Sequence, residues 1–482
     1  MIRFIVGCTL MMVAACSKPG AAETYDGIMV ALAPADATLV VEWRLPDPVT
    51  VFVFSDEDMP TSQRLSDWLP EGDMWEFDGM SLSRTDGAAF DSFTLNLKPI
   101  SEMHRRKYVP VARIGTGGWV LLSGAFAPQG VAHRFSFEGF PEDAIVYGDG
   151  EITKSDMPRE GEGLGIFYVG PPANVSDKGG ILIAGPEIPE NLRADMSASL
   201  AEALSKLTKA WGYAPQVPPA VIITSDEGWK RQSWKGGVSA EVITFHVRGY
   251  DLDDISDAFM ENIRNVSLHE AIHLWNTSLF ESLENAEQSW VQEGGSEYIA
   301  NRLWMSREAF NAAVQKSLNG CILELGTASI RQTEIASRGQ TPYLCGHVVH
   351  LAAELAAVKA GNSSVLGIWK DVFDAADETR TYDSAAFTAA AEANGGQEFA
   401  AVMALFDEGL TYDNRVHLLE RLNALGADIV PLSAEQKALA DTPLSTIVLK
   451  NLLRGYCNGG YSFRRQPDSY KLETEDRCDQ AL

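Results

Sequence analysis

The chain has 482 residues, of which 45% are hydrophobic and 22% charged, a composition typical of a globular protein with large apolar cores. Its 66 acidic and 39 basic residues give a formal net charge of −27. Such a charge repels nucleic-acid phosphates, which argues against a nucleic-acid partner. It also repels anionic lipid surfaces, so any membrane attachment should be covalent.

The N-terminus predicts an export signal over residues 1–16. The basic residue Arg3 precedes an apolar run that is too short to cross a bilayer as a helix. The run ends in Val13-Ala14-Ala15-Cys16, which resembles a bacterial lipobox, so Cys16 would be the acylated first residue of the mature protein. An ordinary secretory signal is the alternative, and it leads to the same compartment. We therefore expect a lipid-anchored protein of the bacterial cell envelope, facing the periplasm or the exterior, with Ser17 favouring the outer membrane.

Four cysteines follow the predicted anchor. In an oxidising compartment an even number of cysteines predicts disulfides, here two. Sequence proximity favours one bond between the first two and one between the last two, although three pairings are possible. The four residues are Cys321, Cys345, Cys457 and Cys478.

Short β-branched and aromatic stretches dominate residues 37–155, and clusters of Gly, Pro and Asp separate them. Examples are Thr38 to Trp43 and Trp119 to Leu122. Regularly spaced short strands of this kind predict an all-β, sandwich-like N-terminal domain. Residues 17–36, which begin with small and polar side chains, are predicted to be a tether.

The pattern becomes mixed from residue 160 onward. Two apolar runs, Ile181 to Ala184 and Ala220 to Thr224, predict buried strands on either side of a helix from Met196 to Trp211. Two further helices are predicted from Asp254 to Asn276 and from Glu287 to Trp304. We assign residues 160–318 to a mixed α/β catalytic domain, and the Ala- and Leu-rich residues 319–482 to a helical C-terminal domain.

The predicted helix from Asp254 contains the motif His269-Glu270-Ala271-Ile272-His273. Residues four apart lie on one face of a helix, so the two imidazoles can bind one zinc ion. Glu270 can then reach a water beside the metal and act as general base. The alternative is a chance occurrence, which is rare in a chain with 8 histidines.

A catalytic zinc site takes three ligands from the protein, so a third ligand is required. Glu293 follows His273 after 19 intervening residues, which is enough for a turn and an antiparallel helix. The adjacent Gly294 and Gly295 would let the two helices approach closely. Glu297, one turn further, is predicted to accept a hydrogen bond from a zinc-bound histidine. A solvated helix face is the alternative for both glutamates.

These residues resemble those of the gluzincin peptidases. His269-Glu270-x-x-His273-x-Trp275, followed by Trp290-x-x-Glu293-Gly294 and Tyr298, is similar to the aminopeptidases of the aminopeptidase-N kind and to glycyl aminopeptidases. The resemblance implies a thermolysin-like catalytic domain, one zinc ion, peptide or protein substrates, and a tyrosine that stabilises the transition state. Tyr343, in a Tyr-x-x-Gly sequence, is the candidate, with a packed aromatic residue as the alternative.

The sequence departs from that family at the segment Gly-x-Met-Glu-Asn, which holds a substrate amino terminus. Gly236-Gly237-Val238-Ser239-Ala240-Glu241 stands in its place, so the choice between exo- and endopeptidase is open. Two other functions also remain open. The chain could be a degenerate peptidase that serves as an envelope binding or scaffold protein, or a zinc hydrolase of non-peptide substrates. His347 and His350, three residues apart, are expected to be structural because no third ligand converges on them.

Overall fold

The structure, a computed structural model, describes most of the chain between Tyr25 and Thr474. The described residues are 25–55, 59, 61–99, 111–161, 165–176, 181–215, 219–226, 232–239, 242–283, 289–333, 339–430, 446–449, 461–466 and 469–474. The predicted signal peptide and anchor at residues 1–16 and the predicted pair Cys457–Cys478 lie outside them. Among the described residues, no helix is both long and apolar enough to cross a bilayer.

The N-terminal region is built from strands, as the sequence predicts. One six-stranded sheet has the order β13-β10-β1-β2-β7-β4, a five-stranded sheet has the order β12-β11-β14-β9-β8, and β3, β6 and β5 form a small third sheet. The elements are β1 (Ile28–Ala35), β2 (Thr38–Val49), β3 (Val51–Val53), α1 (Thr61–Asp67), β4 (Trp68–Pro70), β5 (Trp75–Phe77), β6 (Ser81–Arg84), β7 (Phe90–Leu97), β8 (Val111–Ile114), β9 (Gly118–Leu122), β10 (His133–Phe137), β11 (Ile145–Gly148), β12 (Glu151–Lys154), β13 (Arg159–Glu160) and β14 (Ile166–Gly170).

Two predicted boundaries of this region are wrong. Strand β1 lies inside the predicted tether, because Ile28, Val30 and Leu32 alternate along it as buried residues and it pairs with β2 and β10. Strand β14 lies inside the predicted catalytic domain, yet it pairs with β9 and β11. The N-terminal sheets therefore run from Ile28 to Gly170.

The five-stranded sheet is buried on both faces. Along β9, Trp119 and Leu121 pack into the core shared with the six-stranded sheet. Val120 and Leu122, which point the opposite way, belong to a second core that also contains Ile222 of strand β17. Successive side chains of a strand point to opposite faces, so an uninterrupted apolar run suits a strand with a core on each side. This sheet thereby joins the N-terminal region to the mixed α/β region that follows it.

A second five-stranded sheet, of order β15-β16-β17-β19-β18, forms the base of the mixed α/β region. Strands β16, β17 and β19 are parallel, and β18 is an antiparallel edge strand. One face packs on the N-terminal sheet and the other on the helices. The strands are β15 (Val175–Ser176), β16 (Ile181–Ala184), β17 (Ala220–Asp226), β18 (Ser233–Ser239) and β19 (Val242–Arg248).

The rest of the described chain is largely helical, which confirms the predicted architecture of a β-rich region followed by mixed and helical parts. The elements are α2 (Glu190–Trp211), α3 (Asp257–His273), a π-helical turn (Leu274–Leu279), β20 (Glu281–Ser282), α4 (Ser289–Trp304), α5 (Arg307–Glu324), α6 (Thr341–Lys359), α7 (Val365–Ala375), β21 (Thr381–Tyr382), α8 (Ser384–Glu408), α9 (Tyr412–Ala424), β22 (Ala427–Val430), β23 (Thr446–Leu449), β24 (Tyr461–Gln466) and β25 (Ser469–Thr474).

The predicted boundary between residues 318 and 319 falls inside α5. One hydrophobic core extends from Leu182 to Ala427, so the catalytic and C-terminal helices are packed together. A disulfide between Cys321 and Cys345 joins α5 to α6, and this is the pairing that sequence proximity favoured. The prediction that residues 319–482 are helical is wrong at their end, where β22 to β25 form two hairpin-like pairs.

Candidate metal centre

Helix α3 presents His269 and His273 on one buried face. The Ser256 side chain caps its N-terminus by accepting a hydrogen bond from the Phe259 amide at 3.2 Å. Phe259 and Ile263 pack its first turns into the core. The two histidines, four residues apart, follow near its end, and their rings have centroids 4.9 Å apart.

Three ligand-type atoms converge at this point. The Nε2 atoms of His269 and His273 are 3.1 Å apart. The Glu293 Oε2 atom lies 3.1 Å from the first and 3.2 Å from the second. Tetrahedral zinc with bonds of about 2.0–2.1 Å separates its ligand atoms by about 3.3 Å. The triangle therefore has nearly the size that a bound zinc ion requires, and among the described residues it is the one such group of three.

The outer nitrogens of the two rings face hydrogen-bond acceptors. The Glu297 Oε2 atom lies 3.3 Å from Nδ1 of His269, and the Asn276 Oδ1 atom lies 2.9 Å from Nδ1 of His273. The Asn276 amide nitrogen donates to the Gln292 carbonyl at 3.3 Å, which fixes the direction of its oxygen. The contact with Asn276 assigns the proton of a neutral His273 ring to Nδ1, and the nearby Glu297 carboxylate favours the same tautomer for His269.

When both rings are neutral, each Nε2 atom carries a lone pair that points toward the other and toward the Glu293 carboxylate. Three lone pairs at this distance repel one another unless a proton or a metal cation lies between them. Imidazole and carboxylate are ligands that zinc accepts, and two imidazoles with one carboxylate form a donor set of catalytic zinc sites. The geometry and the chemistry of His269, His273 and Glu293 both fit zinc.

The Glu270 carboxyl lies beside this triangle and outside it. Burial raises its pKa, although the two imidazoles act in the opposite direction. The edge strand β18 approaches it closely at Gly236, where an added Cβ would come within 2.8 Å of the Glu270 Oε1 atom. The glycine therefore makes room for Glu270 between α3 and the edge of the sheet.

The carboxylates control the electrostatics of the centre. Burial favours neutral His269, yet the carboxylates of Glu293 and Glu297 outweigh it and raise the pKa of His269 well above its usual value. Burial would raise the pKa of Glu293, and the imidazoles lower it instead. Burial would likewise raise the pKa of Glu297, but the neighbouring His269 lowers it to about 2. The site thus keeps its carboxylates ionised.

Glu293 reaches the centre from helix α4, but its glycine neighbours do not act as predicted. An added Cβ on Gly294 would collide with the backbone of Gly346, and one on Gly295 would come within 2.7 Å of the His350 Nε2 atom. Both residues therefore allow a close approach of α4 to α6. The prediction that they bring α4 close to α3 is wrong, because both glycines face α6.

Tyr343 lies in the first turn of α6, next to His269. Its half-buried ring stacks near that of His269, with centroids 6.1 Å apart and an interplanar angle of 26°. Pro342 precedes it at the helix start, where a missing backbone N–H is tolerated. The structure thus places the predicted tyrosine at the rim of the site.

His347 and His350 are fully buried on the next turn of α6. The Nδ1 atom of His350 lies 2.8 Å from the Gly346 carbonyl, and His347 lies 3.3 Å from the Asn301 side chain. No group of three ligands forms around them within the described part of the chain.

Sequence reasoning missed Asn276, since its contact depends on the π-helical turn that follows α3, and no spacing rule signals it.

Comparison with known proteins shows the fold. No protein-family model matches the sequence, and a search of curated proteins finds no match either. The chain is similar to the solved structure of an aminopeptidase N family protein from Idiomarina loihiensis, with a TM-score of 0.61 and 11% identity over 92% of this chain and 85% of that one. An M1 zinc metallopeptidase from Deinococcus radiodurans gives a TM-score of 0.45 and 13% identity over 80% of this chain and 93% of that one. The first match establishes a shared fold, whereas the TM-score of the second is too low to do so.

Proposed function

We propose that this protein is a zinc-dependent peptidase whose metal is held by His269, His273 and Glu293. The observation that carries the proposal is the convergence of three lone-pair atoms at 3.1–3.2 Å. Glu297 and Asn276 support it, because their oxygens lie beside the outer nitrogens of the two rings, where they favour the tautomer that a metal requires. The fold shared with an aminopeptidase N family protein favours peptide bonds as the substrate class.

Glu270 is the proposed general base. Zinc in this position would polarise the substrate carbonyl and lower the pKa of an attacking water. The buried Glu270 carboxylate accepts the proton of that water and later passes it to the leaving amine. Its pKa, raised by burial, suits a group that must both take and return a proton.

Tyr343 is the proposed donor to the oxyanion. As the substrate carbonyl carbon becomes tetrahedral, its oxygen gains negative charge, and a phenol at the rim of the centre can donate a hydrogen bond to it. The half-buried ring of Tyr343, which stacks near that of His269, supports this role. This role follows from the family resemblance together with that position.

The proposed setting is the bacterial cell envelope. The apolar segment that ends in Val13-Ala14-Ala15-Cys16 supports export and a lipid anchor at Cys16, with the outer membrane favoured. The disulfide between Cys321 and Cys345 agrees with an oxidising compartment. The substrates would then be peptides or proteins of the periplasm or the exterior.

The test is an unbiased peptide-library digest with purified protein, read by mass spectrometry. We expect cleavage that stops when a chelator removes the metal and returns when zinc is added. The matched control is Glu270→Gln, which should keep zinc and lose 10²- to 10⁴-fold in kcat, the usual contribution of a general base. Bound zinc without cleavage of any peptide would favour a scaffold or a non-peptide hydrolase. Failure to bind zinc would refute the metal site itself, and an undiminished Glu270→Gln variant would refute the base.

A further inference from the structure

Asn276 lies in the π-helical turn that continues α3 beyond His273. It is completely buried, although an amide side chain without partners is costly to bury. Its Oδ1 atom faces His273, and its Nδ2 atom donates to the Ser296 hydroxyl at 3.1 Å and to the Gln292 carbonyl at 3.3 Å. The side chain is therefore held on two sides, with its oxygen left for the histidine.

The backbone of Asn276 is also released from the helix. In a regular α-helix its carbonyl would accept from the Phe280 amide, which here donates to Trp275 instead. The next amide, that of Glu281, donates to the Arg380 carbonyl at 2.8 Å. The carbonyl of Asn276 consequently needs a donor from outside its own helix.

Tyr382 supplies that donor from a distant part of the chain. Its hydroxyl donates to the Asn276 carbonyl at 2.6 Å, across 106 residues of sequence, and the Gln292 amide lies 3.4 Å from the same oxygen. Burial raises the pKa of Tyr382, so its hydroxyl keeps its proton at any physiological pH.

Two features fix the position of Tyr382. Strand β21 pairs in parallel with β20, which directly follows the π-helical turn, and the Tyr382 carbonyl accepts from the Leu283 amide at 2.9 Å. The ring of Tyr382 packs edge-on against Trp369, with centroids 5.7 Å apart. The phenol therefore has little freedom to leave the Asn276 carbonyl.

We propose that Asn276 is a positioning residue of the metal centre, and that Tyr382, from the C-terminal helical part, holds Asn276 in register. Asn276 keeps the proton of His273 on Nδ1, so that Nε2 stays free for the metal. The C-terminal helical part is then a component of the centre rather than an appended domain. This inference rests on the proposed zinc site.

The test measures the zinc dissociation constant of the full protein by competition with a chelator, together with thermal unfolding of the metal-free form. Asn276→Ala should weaken zinc binding 10- to 100-fold, as is typical when the partner of a ligand histidine is lost. Tyr382→Phe removes one hydroxyl and keeps the ring, so we expect a loss of about three- to tenfold. The matched control is Tyr168→Phe, which removes a buried hydroxyl that donates to the Pro171 carbonyl at 2.9 Å in the N-terminal sheet. It should leave zinc binding unchanged.

The rescue variant Asn276→Asp separates positioning from stability. It keeps an acceptor for His273 but turns an oxygen toward the Gln292 carbonyl, so the unfolding temperature should fall while zinc affinity stays within about threefold. A Co²⁺ absorption spectrum like that of the parent would report the same ligand geometry. Wild-type affinity in Asn276→Ala and Tyr382→Phe, or an Asn276→Asp loss as large as that of Asn276→Ala, would overturn this inference alone. A parent protein that binds no zinc would overturn the proposed function with it. If Asn276→Ala does not fold, Tyr382→Phe and Asn276→Asp still decide.

Discussion

Two pairs of histidines lie on neighbouring helices, and within the described part of the chain only one of them forms a candidate metal site with a carboxylate. His269 and His273 on α3 are almost as deeply buried as His347 and His350 on α6, which are completely inaccessible. The first pair converges with the carboxylate of Glu293. The second contacts a backbone carbonyl, an asparagine and aromatic rings.

The difference appears in the protonation of the rings. Burial lowers the pKa of His347 to about 4 and that of His350 to about 3, because little nearby charge compensates for the loss of water. At His269 the neighbouring carboxylates outweigh the same burial and raise the pKa. A pair of histidines is therefore not sufficient for a metal site, because the acidic residues around the pair decide whether a cation is stable there.

The strongest test of this comparison removes the carboxylate that distinguishes the pairs. Glu293→Gln keeps the size of the side chain and removes its charge, so the first pair would resemble the second. If zinc binding is worth about 10–16 kcal/mol over four ligands, one ligand contributes about 3 kcal/mol, or a 10²- to 10³-fold loss in affinity. Zinc content after dialysis and chelator competition would measure it. His347→Leu is the control and should bind zinc like the parent; a loss in that variant would contradict the structural role of the second pair.

A second test concerns Tyr343, whose ring stacks near that of His269 in the first pair. Tyr343→Phe keeps the ring beside His269 and removes the donor to the oxyanion, so kcat should fall by about 100-fold with little change in KM or zinc content. Steady-state kinetics on a peptide found in the library digest would separate the two constants. An unaltered kcat would make Tyr343 a packing residue, like the aromatic rings around the second pair.

The sequence predicts which three side chains converge because its signals are local. The spacing of His269 and His273 and the need for a third ligand led to Glu293 without any tertiary information. Cys321 and Cys345 were likewise found from proximity along the chain. Features that depend on distant partners were missed or misassigned. Gly294 packs on Gly346 of α6 rather than on α3, and this could not be read from a sequence that does not show which helices meet.

The N-terminal boundaries failed for the same physical reason. Strand β14 pairs with β9, and Ile166 lies opposite Leu122. The sequence of a short apolar strand does not show which other strand it will pair with. The contact of Tyr382 with Asn276 is a further example, since it needs a π-helical turn and a partner 106 residues away. Local periodicity fixes elements and motifs, whereas the choice between possible neighbours is made by the packing of the whole core.

A smaller effect than that of Glu293→Gln is expected for Glu297, which lies beside the outer nitrogen of His269. Its carboxylate lies 3.3 Å from Nδ1 and accepts a hydrogen bond from Asn301 at 3.3 Å, so it is itself held in place. Glu297→Ala leaves all three proposed ligands intact but removes the group that favours a proton on Nδ1. Zinc affinity should therefore fall by 10- to 100-fold, less than in Glu293→Gln. Chelator competition on both variants would rank them. If Glu297→Ala lost as much zinc affinity as Glu293→Gln, or more, Glu297 would be the third ligand. The assignment of the metal to His269, His273 and Glu293 would then be wrong.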